Sequence, residues 1–429
     1  MADPIIATGG PQSAPATRNT FQESREDWLV VATSTIGLAV SVMYVYSMGL
    51  FIAPLEAEFG WPRGQISAGL TVVSVITVVL APIIGMAIDR YGSRVIALSG
   101  MVLYCLAFGL LATTSASIWH WWALWGLIGL GVVLIKPTVW MAAVASRFKT
   151  RRGLAIGLAL CGTGVGSATM PWVASSLIQA VGWRYSYLAL ALGGAIVALP
   201  LMLAFFRDNP RVRPAVGAPS GIPGITIREG LTSRRFQKMA LASFLATFGV
   251  IALVVHFVPI LVSQGVASKQ AAIVAGAIGL ASIVGRIGTG FVLDRIHGTL
   301  VGAIGFGMPV VACVLLLNAD GSTALALSAA VVLGLSLGAE VDVIAYLATR
   351  YFGLRNYGML FGTLAGLLSL GTGVGAAFGG AMFDRFGTYD ALIWSLIPVF
   401  AMTTLLVGTL GAYATFDEPE SLTPSQEAS

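Results

Sequence analysis

Four ionisable side chains, Lys136, Arg286, Glu340 and Asp342, lie deep inside stretches that are otherwise apolar. A charge at the centre of a bilayer-spanning helix costs about 2.5–3.5 kcal/mol, so it persists only facing a polar cavity or a partner. Two cations and two anions in such places predict a polar pathway through the protein. The guanidinium fork of Arg286 suits bidentate carboxylate recognition, or else a structural ion pair with Glu340 or Asp342. Lys136, beside Pro137, offers a second anion contact or an ion-pair partner for Glu340. Glu340 and Asp342 are two residues apart, about 200° around a helix, so they face different surroundings. One lines the pathway and handles a proton; the other holds Arg286 or a backbone group. His256 is a further proton or substrate site, or else a packed histidine bonded to a carbonyl near Pro259. Tyr46 and Trp140 leave room for an aromatic substrate, although aromatic rings also pack helices.

The elements that must position these groups follow from composition. The 429 residues are 57% hydrophobic and 10% charged, with a mean hydropathy of +0.87. Soluble domains carry about 25% charged residues, so the apolar excess has to face lipid. Apolar runs of about 20 residues give twelve spans, approximately 29–53, 66–88, 95–115, 119–146, 153–180, 185–206, 238–264, 270–293, 299–318, 323–349, 356–383 and 389–415. With a cytosolic amino terminus, eighteen lysines and arginines fall in cytosolic segments and four in external loops. This bias predicts a multi-pass membrane protein with both termini cytosolic. The net charge of +5 then belongs to membrane-facing loops, and no basic patch on a soluble domain suggests a nucleic-acid partner. Cys105, Cys161 and Cys313 sit in apolar segments without metal-ligand spacing and are expected to be small core residues. No metal or cofactor is expected.

The chain repeats itself. GMAIDRYGSR at 85–94 is echoed by GFVLDRIHG at 290–298, and RFKTRRGLAIG at 147–157 by RYFGLRNYGMLFG at 350–362. GTGVG occurs at 162–166 and again at 371–375. The glycines cannot cradle a nucleotide, because they lie inside spans rather than after a strand. Gly162/Gly166 and Gly371/Gly375/Gly379 are spaced four apart, which suits close helix packing between halves. A constant offset near half the chain predicts two six-helix halves, residues 28–206 and 237–415. A cytosolic linker, 207–236, joins them, and the tails are 1–27 and 416–429.

The GxxxDRxG loop motif, repeated between the second and third and between the eighth and ninth spans, resembles the major facilitator superfamily over the whole chain. A narrower resemblance follows from FIAPLEAEFGWPRGQIS at 51–67, DRYGSR at 89–94 and SIVGRIGTG at 282–290. These look like the monocarboxylate transporters and the related oxalate/formate antiporters. The resemblance implies the major facilitator fold, an all-α membrane protein of twelve helices in two pseudo-symmetric halves. It implies a monomeric cell-membrane carrier, not an enzyme, whose partners are a small organic anion, protons and the lipid bilayer. Arg286 falls on that group's carboxylate-binding arginine. Asp89, Arg90, Arg94, Arg147, Arg152, Asp294, Arg295 and Arg350 fall in the cytosolic loops that gate this fold, or simply set topology by charge. Two departures matter. Tyr46 stands where these carriers place a proton-handling lysine, and Ser282 where they have an aspartate. Lysine-centred coupling therefore does not transfer. Exchange without proton coupling, of mono- or dicarboxylates, stays open beside symport, as does a non-transporting receptor of the same fold.

Overall fold

The computed structural model describes residues 24–148, 151–207, 224–293, 295–353 and 355–413; of Asp89 and Arg152 only the backbone is described. Within them the chain is helical apart from connections and one isolated antiparallel bridge, Gly224 to Gly353. Eleven helices are long and apolar enough to cross a membrane. One of these, Arg152–Phe205, is two spans rather than one. Gly182 interrupts it with φ 77° and ψ 166°, a conformation open to glycine and strained for other residues. Gly166 packs on Ala39 and Gly194 on Val40, adjacent residues of the first span. In a straight helix those two glycines would stand about 42 Å apart, so the chain must fold back at Gly182. Twelve spans result, as the apolar pattern predicts.

Local sequence explains the other interruptions. The first span, Arg25–Phe59, starts from a Ser24–Asp27 capping box and breaks briefly at Val42 and Ser47. The fourth span divides into Ile118–Leu134 and Pro137–Arg147. Pro137 lacks an N–H and disfavours helical geometry in the residue before it, and Lys136 is accordingly extended (φ −59°, ψ 154°).

Packing repeats across the halves. The first span lies on the fifth, the second on the fourth and the third on the sixth. The seventh (Arg234–Ser263) lies on the eleventh (Tyr357–Phe386), the eighth (Ser268–Leu293) on the tenth (Thr323–Phe352), and the ninth (Gly298–Leu317) on the twelfth (Asp390–Gly408). Leu106, Leu192, Ile304 and Leu405, on the third, sixth, ninth and twelfth spans, are exposed. Those four spans present apolar surface for lipid to cover, as do Val79 and Met86 of the second and Leu280 and Val284 of the eighth.

Two seams join the halves for most of their contact, fifth span against eighth and second against eleventh, and Gly49 of the first span packs on Val255 of the seventh. The GTGVG strings build both, with a correction to the expected packing. Gly162 and Gly166 meet Thr35 and Ala39 of the first span, and Gly371 and Gly375 meet Phe244 and Phe248 of the seventh, each inside its own half. The glycine between them crosses over, Gly164 to Ile283 and Gly373 to Thr71. A spacing of four keeps one helix face and a spacing of two reverses it. The sequence spacing was right for close packing, but that face turns inward.

Candidate functional site

Arg286 reaches across the fifth–eighth seam. Its Nη1 donates to the Leu160 carbonyl at 2.9 Å and more weakly to Thr163 Oγ1 at 3.4 Å. Its Nε lies 3.3 Å from Asp342 Oδ2 on the tenth span. That pairing is electrostatic only, because Nε is buried without an aligned acceptor. The Arg286 side chain is 16% exposed and that of Asp342 25%. This cation is thus neutralised but incompletely satisfied.

Glu340 faces another way, as two residues of helical rotation require. It is 3% exposed and accepts a hydrogen bond from Thr247 Oγ1 on the seventh span. Tyr46, at a break in the first span, stands within electrostatic reach of both Arg286 and Glu340. Five spans therefore converge on one polar cluster, the first, fifth, seventh, eighth and tenth. Thr163 and Thr247 belong to it and were not singled out from sequence. Thr163 sits inside GTGVG, where the glycines carry the visible signal.

Several expected placements need correction. Lys136 and Glu340 form no ion pair; Lys136 Nζ instead donates to Ser369 Oγ on the eleventh span at 2.8 Å. Trp140 does not face the pathway. It is fully buried, donates to the Ile135 carbonyl, meets Phe206 edge-on and packs over Gly37. His256 is also fully buried, with Nε2 3.0 Å from the Ala376 carbonyl and Nδ1 3.3 Å from the Tyr389 hydroxyl. Its carbonyl partner lies on the eleventh span rather than near Pro259. A sequence position gives depth in a span but not helical phase, and phase sent both rings into packing. Cys161 is no core residue: it is half-buried beside Arg286 and Asp342, whereas Cys105 and Cys313 are buried.

The loop residues lie on the face that carries the termini. Arg147 pairs with Asp27 at 2.9 Å and donates to the Arg207 carbonyl, and Arg94 donates to the Leu203 carbonyl. Arg90 lies over Tyr91, Arg295 over Phe291, and Arg350 over Tyr413 and Tyr346. These contacts all stay within one half. Asp294 and the side chains of Asp89 and Arg152 lie outside the described residues.

The opposite face is tied together across the halves, at residues not singled out from sequence. Asp384, on the eleventh span, accepts from the backbone N–H groups of Arg63 (2.8 Å) and Gly64 (2.7 Å), capping the second span. Arg63 pairs with Glu56 at 2.9 Å, donates to the Tyr389 hydroxyl and stacks 3.6 Å over Phe383.

Comparison with known proteins gives the geometry a context. Residues 34–362 match the model of the Major Facilitator Superfamily. Human monocarboxylate transporter 11 is 26% identical over 382 residues, covering 85% of this chain and 78% of that one. Bovine monocarboxylate transporter 13 is 26% identical over 404 residues, covering 92% and 91%. An MFS-type transporter of Gibberella moniliformis is 25% identical over 388 residues, covering 89% and 88%. Among solved structures, a bacterial homologue of the human lysosomal transporter Spinster, in an inward-facing and unoccupied conformation, superposes with a TM-score of 0.69. It is 17% identical and the alignment covers 91% of this chain and 97% of that one. The family model covers most of the sequence, and the chain belongs to the Major Facilitator Superfamily.

Proposed function

We propose that the chain is a secondary carrier of a small organic anion, first of all a monocarboxylate, working by alternating access with proton coupling. The observation that carries this reading is Arg286, partly buried between the halves on an imperfect ion pair with Asp342 and a carbonyl of the opposite half. A substrate carboxylate offers the guanidinium two parallel hydrogen bonds in place of one misaligned contact. Binding then frees the Leu160 carbonyl, and with it a tie between the halves. The monocarboxylate transporters among the relatives support the same substrate class.

Charge arithmetic gives Glu340 its role. Lys136 and Arg286 balance Asp342 and an ionised Glu340. With Glu340 protonated the chamber holds one positive charge in excess, which a monoanion cancels. Proton and anion thereby travel together. In this reading the face carrying the termini is cytosolic, the membrane is the cell membrane, and the molecule works as a monomer.

Counterflow into proteoliposomes, with a panel of mono- and dicarboxylates and a varied pH gradient, tests the assignment. Arg286→Ala should abolish uptake in a folded protein, and Arg286→Lys should rescue it poorly, because lysine cannot form the fork. Near-normal uptake by the alanine variant overturns the anion site. Glu340→Gln should remove the response to the pH gradient while sparing exchange. An unchanged response moves the reading to exchange without protons.

A further inference from the structure

Lys136 is the second cation inside the spans, and its surroundings differ from those of Arg286. Among the described residues no carboxylate lies within ion-pair distance of it. Its ammonium has three N–H donors, and the hydrogen bond that engages it goes to the Ser369 hydroxyl. A neutral acceptor compensates little of a cation's desolvation. The position is also structurally special. Lys136 precedes the eleven-residue helix Pro137–Arg147, which begins in mid-span. The start of such a half-helix presents the positive end of its dipole, although Pro137 has no N–H and the Val139 amide donates to the Lys136 carbonyl at 2.9 Å. Ammonium and helix start thus favour an anion at one point, and Ser369 brings the other half to it.

The route to this point lies on the side where the second and eleventh spans part. Gly366 of the eleventh span still meets Val78 of the second at 3.9 Å, but Gly362, one turn nearer the terminal face, has no neighbour within 4 Å. Gly85 of the second span is equally bare. Ser369 lies about one turn nearer that face than the tightly packed contact of Gly373 with Thr71.

We propose that Lys136, together with the start of the half-helix Pro137–Arg147, is a carboxylate-binding point of the pathway. Ser369 holds the ammonium when the site is empty and yields it to the anion. The inference rests on the reading of the chain as an anion carrier. It goes further in giving the second span–eleventh span seam its own anion contact, distinct from Arg286.

The test compares Lys136→Gln, Lys136→Arg and Ser369→Ala with the unmodified protein in counterflow and in carboxylate-induced thermal shift in detergent. The unmodified protein must first show saturable uptake of a carboxylate; its failure on the whole panel removes the carrier reading, not this site alone. Given that uptake, Lys136→Gln should raise KM about tenfold or more, as loss of a charge-assisted hydrogen bond implies, and lose the thermal shift. Lys136→Arg should keep both within a few-fold. Ser369→Ala should leave KM within about threefold, because the hydroxyl only parks the ammonium. An unchanged KM in Lys136→Gln overturns the proposal. So does a common pattern in Lys136→Gln and Ser369→Ala, with lower stability and lower kcat at constant KM, which marks a structural tie. If Lys136→Gln does not fold, the Arg and Ala variants decide: KM raised by Ser369→Ala as much as by Lys136→Arg refutes the parking role.

Discussion

The two ends of the interface between the halves use the same residue type to opposite effect. At the face away from the termini, a methyl on Gly380 would sit 2.6 Å from the backbone of Arg63 and Gly64. Around that contact Asp384 caps the second span, and Arg63 joins Glu56, Phe383 and Tyr389. At the terminal face Gly85, Gly153, Gly157, Gly288, Gly290, Gly358 and Gly362, all on the four seam helices, have nothing within 4 Å. Gly157 lies two turns from Gly164, and Gly290 two turns from Ile283, so both continue the faces that meet higher in the seam. One end is shut by backbone contact and a polar clasp, and the other is splayed. The difference teaches that closure here is a small-residue contact, with charge added where a loop can supply it. The bare glycines are the surface that the terminal end would use in its own closed state.

The largest effect should come from filling that surface. A Cβ at Gly362 meets no atom within 4 Å in this conformation, so Gly362→Leu should leave thermal stability near that of the parent, while uptake falls to background because the second and eleventh spans cannot close. Normal uptake by this variant would remove Gly362 from any closing contact. Opening the clasp comes next. Asp384→Ala strips two hydrogen bonds from an anionic acceptor, each worth about 1.5–3 kcal/mol net, and so should move the population toward a state open at the far face. Spin labels at Ser117 and Thr388, in a background with Cys161 replaced by serine, should report a longer distance distribution than in the parent. An unaltered distribution means that the clasp does not set the equilibrium. The smallest effect is a matched pair. Gly380→Ala should destabilise the protein, since backbone must shift to admit the methyl. Gly85→Ala should be neutral or stabilising by up to about 1 kcal/mol, the usual helix preference. Equal effects at both positions would erase the contrast between the two ends.

Much of this architecture was legible in the sequence, for physical reasons. Span length and loop charge are sums over many residues, so twelve spans and two repeated halves survive local exceptions such as the missing gap at Gly182. The near opposition of Glu340 and Asp342 around one helix was also legible, because two residues fix an angle whatever the packing. Trp140 and His256 were not, since their depth was readable but the face they present depends on neighbouring helices. The clasp was missed for a related reason. Arg63 and Asp384 stand at span ends, where a lone charge looks like an interfacial anchor until the chain brings the two ends together across 321 residues of sequence.

The partial exposure of Cys161 has a practical consequence. With Cys105 and Cys313 buried, the unmodified protein carries a native reporter in the chamber, next to the Arg286–Asp342 pair. A membrane-impermeant maleimide added from the terminal side should alkylate it in the conformation described here. Reagent from the other side should reach it only after the clasp has opened. Labelling kinetics from the two sides of oriented vesicles then amount to a clock for the switch between states, obtained without introducing a single foreign residue.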